Sequence, residues 1–187
     1  MRGWECRASD IEWEQELGSG TFGRVFRVQC AGLTLAAKRI GSTQLAARAE
    51  AELQLRNEFR ALSELKHPHI VQIFGVVLDH PAWVCLLMEL AHRGSLRRLL
   101  DATPELVLGQ TRVQLTLACQ IVSGLNYMHL REPQPVLHRD IKSANVLIFQ
   151  EAGDSLVAKI SDFGMATGVG GTTLGTTIPA GGLAGTY

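Results

Sequence analysis

The sequence predicts an α+β protein in two parts: a strand-rich first half carrying one helix, and a helical second half. Three observations predict it. Paired apolar or β-branched runs flank turn-forming residues in the first half, one long stretch (46–66) contains neither Gly nor Pro, and beyond Gly94 the apolar spacing becomes helical. Taken in order, Val25, Phe26 and Val28, then 33–37, lie on either side of Ala31-Gly32 and read as an antiparallel hairpin turning near Gly32. The 46–66 stretch is rich in Ala, Leu, Glu and Arg, which favours a helix that His67-Pro68 ends. Runs 70–78 and 83–88 read as strands around Asp79-His80-Pro81. Ser95 suits the N-cap of a short helix over 95–101. Val113, Leu117, Ile121, Leu125 and Met128 mark a long helix over 111–130. Short strands are expected at 136–137, 146–149 and 157–160, and the Gly- and Thr-rich stretch 168–187 reads as a flexible loop.

Composition narrows the function. Apolar residues at 46% and charged residues at 19% fit an ordinary globular domain. With 18 Lys plus Arg against 18 Asp plus Glu, no global field favours nucleic acid or an acidic membrane. Cys6, Cys30, Cys85 and Cys119 are scattered, with no CxxC pair, so neither a zinc site nor a disulfide framework is expected, and free, mostly buried thiols in a reducing compartment fit best. Glu5, Arg7, Asp10 and Glu12 interrupt any apolar signal core, and the longest strongly apolar stretch, 83–88, is far short of a membrane span. A cytoplasmic location with no membrane segment in this chain is expected.

Chemistry enters with Gly18-Ser19-Gly20-Thr21-Phe22-Gly23. A dinucleotide fold would follow the third glycine with a helix, but the alternation of Arg24-Val25-Phe26-Arg27-Val28 predicts a strand, which disfavours a nucleotide-binding oxidoreductase. A glycine-rich turn between strands lets backbone N–H groups approach phosphates, and an ordinary hairpin turn would use the same residues. Lys38 shares a strand face with Ala36, so it points inward if Ala36 does; a lysine snorkelling at a strand end is the alternative. Glu58 lies on the stripe of Leu55, Phe59, Leu62 and Leu65, where a carboxylate needs a partner and Lys38 is the natural one; a glutamate at the rim of the stripe is the alternative. Glu50 and Glu64 lie off the stripe and read as solvated charges. Further along, His138-Arg139-Asp140-Ile141-Lys142-Ser143-Ala144-Asn145 and Asp162-Phe163-Gly164 place two acids and an amide between short strands, a donor set suited to Mg²⁺.

In this order and spacing the motifs resemble the eukaryotic protein kinase family, from about Ile11 to the end of the chain. Asp10-Ile11-Glu12-Trp13, His67-Pro68-His69-Ile70-Val71 and Gly94-Ser95-Leu96 are most similar to the tyrosine-kinase-like group of serine/threonine kinases. The resemblance implies a bilobal kinase fold: an N-terminal extension (1–10), an antiparallel-sheet N-lobe with one regulatory helix and a hinge (11–91), and a partial helical C-lobe cut off in the activation segment (92–187). It implies ATP and Mg²⁺ as cofactors and a protein substrate with a Ser or Thr acceptor. Gly18, Gly20 and Gly23 would cover the phosphates, and Lys38, paired with Glu58, would hold them. Val25, Ala36 and Leu147 would sandwich adenine, with Met88 as gatekeeper and the main chain of Glu89 and Ala91 as hinge. Asp140 would be the catalytic base, Lys142 would neutralise the γ-phosphate, and Asn145 and Asp162 would bind Mg²⁺. Lys142, and Thr186 in Gly185-Thr186-Tyr187, favour Ser/Thr over Tyr as acceptor. The activation segment departs from the family in its Gly and Thr content; Thr172, Thr173, Thr176 and Thr177 are the candidates for phosphorylation by an upstream kinase or by the protein itself. A binding-only pseudokinase is the rival reading, but none of its usual degenerate positions occurs. The isolated chain 1–187 is expected to be inactive and poorly stable, because the helices that floor the second lobe would follow it.

Overall fold

The computed structural model describes residues 4–20, 23–41, 45–151, 153, 155–163 and 167–168. Strands β1 (Glu5–Cys6), β2 (Ile11–Gly20), β3 (Gly23–Cys30) and β4 (Leu33–Gly41) precede helix α1 (Leu45–Ser63), then β5 (Ile73–Val77) and β6 (Trp83–Glu89). The second half holds α2 (Leu96–Ala102), α3 (Thr111–His129), β7 (Val136–Leu137), β8 (Val146–Gln150), β9 (Leu156–Ile160) and β10 (Thr167–Gly168). The first six strands form one sheet in the order β1-β5-β6-β4-β3-β2; β8 pairs with β9 and β7 with β10. This is a bilobal fold, a sheet with one helix against a helical lobe. Gly168, assigned from sequence to a loop, pairs with Val136 as the end of β10, and 169–187 lie outside the described residues.

The hairpin turns where its sequence requires it. Ala31 and Gly32 both take positive φ, 50° and 77°, and Cys30 pairs with Leu33 across them, the two-residue turn that matches strand twist. Strand β4 runs on to Gly41, past the expected 37, and two further boundary shifts have a visible cause. Helix α1 ends at Ser63, short of 66. There the Leu65 N–H turns back to the Leu62 carbonyl at 3.0 Å, and the Lys66 N–H leaves the helix for the Tyr127 hydroxyl at 3.2 Å. The strand expected over 70–78 begins only at Ile73, because Val71 donates instead to the carbonyl of Ile160 (2.9 Å), whose own N–H is held by His69 O (2.9 Å). That exchange stitches the sheet lobe to β9, the strand that leads to Asp162.

Residues 5 and 6 also join the sheet: β1 runs parallel to β5, with Glu5 opposite Val76, and Trp4 stacks on Phe59 of α1 with ring centroids 4.4 Å apart. Burial explains the cohesion. Leu55 and Leu62 of α1, Leu86 of β6, Met128 of α3, Ile160 and Phe163 belong to one apolar cluster that crosses between the lobes. Each such side chain removed from water contributes about 1.5–3 kcal/mol. Cys30 and Cys85 are buried, Cys6 is half-buried and Cys119 exposed, and all four are free thiols.

Close approach at one glycine sets the distance between α3 and this junction. A Cβ on Gly124 would stand 2.8 Å from the carbonyl oxygen of His69 and 3.0 Å from Ile160 Cδ1. In an open helix Gly→Ala gains up to about 1 kcal/mol, whereas overpacking a tight contact costs about 1–3 kcal/mol. The contact atom is backbone and cannot swing away. Gly124→Ala is therefore expected to lower stability by about 1–2 kcal/mol, read by denaturant unfolding.

Candidate active site

Strand register gathers the first wall of the site. Val25 of β3 lies opposite Lys38 of β4, and Ala36 of β4 lies opposite Met88 of β6. Strand alternation puts these four side chains on one face. They line a cleft of about 500 Å³ between the lobes, closed on the far side by Leu147, Asn145 and Asp162.

At the back of the cleft Lys38 and Glu58 are both buried. The Lys38 ammonium meets Glu58 Oε1 at 3.1 Å and Oε2 at 3.0 Å, and Asp162 Oδ1 at 3.1 Å. Glu58 sits on the apolar face of α1 between Leu55 and Leu62, both nearly inaccessible, so the helix that packs the lobe also carries the carboxylate. Burial alone would pull the Lys38 pKa down; the charges of Glu58 and Asp162 outweigh it and hold the ammonium above its usual range. Burial pushes the Glu58 carboxyl up, and Lys38 opposes that rise. The inward orientation of Lys38 and its pairing with Glu58, left open on sequence grounds, are both realised.

The opposite wall is a knot of short bonds. Lys142 Nζ reaches Asp140 Oδ2 at 2.7 Å. The Asn145 side-chain amide donates to Asp140 Oδ2 (2.9 Å) and to its main-chain oxygen (2.8 Å). Ser161 donates to the Asn145 carbonyl from both its N–H (2.9 Å) and its hydroxyl (3.0 Å). His138 is buried, its Nδ1 accepts from the Asp140 N–H (3.3 Å), and its Nε2 therefore carries the proton donated to Ser161 O (2.9 Å). Burial lowers its pKa, which keeps that neutral tautomer. Phe163 stands edge-on to the His138 ring with centroids 4.8 Å apart. Arg139 and Asp162 take φ of 65° and 64°, left-handed conformations that non-glycine residues rarely adopt and that this bonding over-determines.

The remaining expected residues fall around the cleft rim. Gly18, Glu89 and Ala91 line it. Glu89 commits its carboxylate to Lys159 Nζ (2.7 Å) and the Gln72 N–H (2.8 Å), so only its main chain faces the cleft's chemistry. Gly23 lines the cleft with φ of 119°, and a Cβ there would lie 2.4 Å from Arg39 O, so the turn into β3 admits only glycine. Gly20 ends β2; Thr21, Phe22, Gly164 and the four candidate threonines of the activation segment, with Thr186, lie outside the described residues. Sequence reasoning gave no role to His138, Ser161, Leu17 or Arg98. The signal available for Ser161 was a small polar residue between buried Ile160 and an acid; Leu17 and Arg98, which line the cleft mouth, left none.

Asn145 and Asp162 suit Mg²⁺. Both offer oxygens to the cleft, and because the Asn145 nitrogen is spent on Asp140, its amide oxygen is the end left for a cation. Among the described residues no group of three or more His, Cys, Asp or Glu is placed to hold a metal ion by itself. The donor set therefore fits an ion that completes its shell with phosphate and water rather than one held in an all-protein cage.

The hydrogen bond from Lys142 holds the Asp140 carboxyl below the usual aspartate range; its partial burial opposes this, and the bond from Asn145 reinforces it. A carboxyl whose folded pKa is depressed stabilises the fold above its unfolded value and loses that contribution as pH falls through the folded value. Lys142→Ala should raise the Asp140 pKa toward the ordinary value, shifting this loss to higher pH. Carbon-13 carboxyl titration of both proteins by NMR checks it.

The comparisons agree with this geometry. The chain matches the protein kinase domain family over residues 11–180. It is 34% identical to Mitogen-activated protein kinase kinase kinase 10 of Mus musculus, across 84% of this chain and 17% of that protein. It is 32% identical to Serine/threonine-protein kinase TNNI3K of Mus musculus, across 86% and 18%, and 32% identical to Serine/threonine-protein kinase CTR1 of Arabidopsis thaliana, across 84% and 18%. The chain spans about a sixth of the length of these relatives. They bear out the likeness to the tyrosine-kinase-like group. On the extent of the match, the chain belongs to the protein kinase domain family.

Proposed function

We propose that this unit transfers the γ-phosphoryl group of ATP to a serine or threonine hydroxyl of a protein substrate. The observation that carries the reading is the three-way contact of Lys38 with Glu58 and Asp162, the arrangement in which a phosphate-holding lysine and a metal-holding acid share one cleft. Gly18, Gly20 and Gly23 cover the phosphates, and Lys38 holds the α and β groups. Val25, Ala36 and Leu147 sandwich the adenine, with Met88 behind it and the main chain of Glu89 and Ala91 alongside. Asn145 and Asp162 hold Mg²⁺, which when bound neutralises charge developing on the phosphate oxygens.

Asp140 receives the acceptor hydroxyl. Its lowered pKa makes it a poor proton acceptor until the hydroxyl becomes acidic late in transfer, so its first task is to orient that hydroxyl. Lys142, 2.7 Å from Asp140, stands ready to meet the transferred group's charge. A threonine or serine acceptor is supported by Lys142 and by relatives named as serine/threonine-protein kinases. A cytoplasmic setting, with control by an upstream kinase or by autophosphorylation at the activation-segment threonines, completes the reading; no described helix is long and apolar enough to cross a membrane.

Asp140→Asn, in the protein carrying this chain, should lower phosphotransfer by about 10²–10⁴-fold while the Mg-ATP dissociation constant stays within a few-fold. Turnover near wild type refutes the role of Asp140, and phosphotyrosine as the sole product in phosphoamino-acid analysis refutes the acceptor class.

A further inference from the structure

Helix α2 begins under the mouth of the cleft. Ser95 caps it, its hydroxyl accepting from the Arg98 N–H at 3.2 Å, which fixes where Arg98 leaves the helix. The two arginines of the first turn have different fates. Arg97 stays local, paired with Asp101 one turn on. Arg98 instead crosses the mouth: its Nη1 donates to the carbonyl oxygen of Leu17 at 3.1 Å, bridging residues 81 positions apart in sequence. Its stem lies over Gly94, where φ is 68° and a Cβ would stand 3.2 Å from Arg98 Cδ. Gly94 thus both turns the chain into α2 and leaves room for the arginine to lie back.

The acceptor's place matters. Leu17 immediately precedes Gly18, at the start of the glycine-rich turn. A Cβ on Gly18 would meet no atom within 4 Å, so nothing packs against that side of β2, which is held there by its pairing with Val25 of β3. Among the described residues, the Arg98 bond is the one hydrogen bond between β2 and anything beyond the hinge. Arg98 and Leu17 both line the cleft, so a nucleotide leaving by its mouth passes the pair.

We propose that Arg98 is a positioning residue, a strap between the lobes that holds the β2 end down over the cleft mouth and thereby sets the rate at which nucleotide leaves. The inference rests on the nucleotide-binding reading of the cleft. A charge-assisted bond to a carbonyl is stronger than a neutral one, yet at an exposed site it breaks and re-forms readily, as a gate must.

The test uses the protein carrying this chain, a fluorescent ADP analogue and hydrogen exchange without nucleotide. Arg98→Ala should speed release of the analogue in stopped flow by about 3–10-fold, one broken bond's worth, and raise KM for ATP. The single-turnover transfer rate should stay unchanged, and amide exchange at Gly18 should quicken in the nucleotide-free protein. Arg98→Lys, which keeps a donor but not the fork, should fall between. Gly94→Ala, which displaces the arginine stem, should move release in the same direction as Arg98→Ala. Wild-type release and wild-type exchange in Arg98→Ala would overturn the strap. If the wild-type protein fails to bind the analogue at all, the nucleotide reading falls, and unchanged exchange at Gly18 would then overturn the strap separately.

Discussion

A buried ammonium sets the terms for the rest of this molecule. Lys38 lies inside the apolar face of a sheet, where an isolated charge would cost several kcal/mol, and it is tolerable only because two carboxylates from distant parts of the chain reach it. Glu58 comes from α1 and Asp162 from the end of β9. Helix, sheet and second lobe must all be in place for one nitrogen to be satisfied, so the electrostatic demand of Lys38 works as a test of correct assembly. Removing one partner of such a pair commonly costs about 3–5 kcal/mol, a large share of a domain's stability.

The loop that carries Asp140 answers a second demand, to hold strained backbone still. Arg139 and Asp162 occupy left-handed conformations, and the bonds converging on them run through His138, Ser161 and Asn145. His138 can serve only while neutral, since protonated Nδ1 could not accept from Asp140 N–H; burial keeps it so. The neutral imidazole thereby links the turn that carries Asp140 to the turn that carries Asp162.

How much of this was legible depends on the range of the interaction. The Glu58–Lys38 pair could be inferred because both periodicities are local: a helical stripe exposes the odd carboxylate, and strand alternation turns Lys38 inward with Ala36. The hairpin at Ala31-Gly32 and the N-cap at Ser95 were legible for the same reason. The roles proposed for Asp140, Lys142, Asn145 and Asp162 came mainly from motif order, a family likeness, with a donor set suited to Mg²⁺ as their physical part. What sequence did not reveal were contacts whose two ends share no local pattern. Trp4 on Phe59, Val71 on Ile160 and Arg98 on Leu17 each join segments that only the three-dimensional fold brings together. Helix α1 ended early for a related reason: Tyr127, from the other lobe, offers Lys66 N–H a better partner than the helix does.

The most direct test of the account is a double-mutant cycle on Lys38 and Glu58, with Lys38→Met, Glu58→Gln and the pair compared by denaturant unfolding in the protein carrying this chain. If the buried ammonium and its carboxylate are mutually dependent, each single change destabilises, and the double change costs less than the sum by at least about 1 kcal/mol, within the range measured for residues in direct contact. Additive costs would mean that the two charges do not depend on each other and that assembly of the cleft is governed by something else.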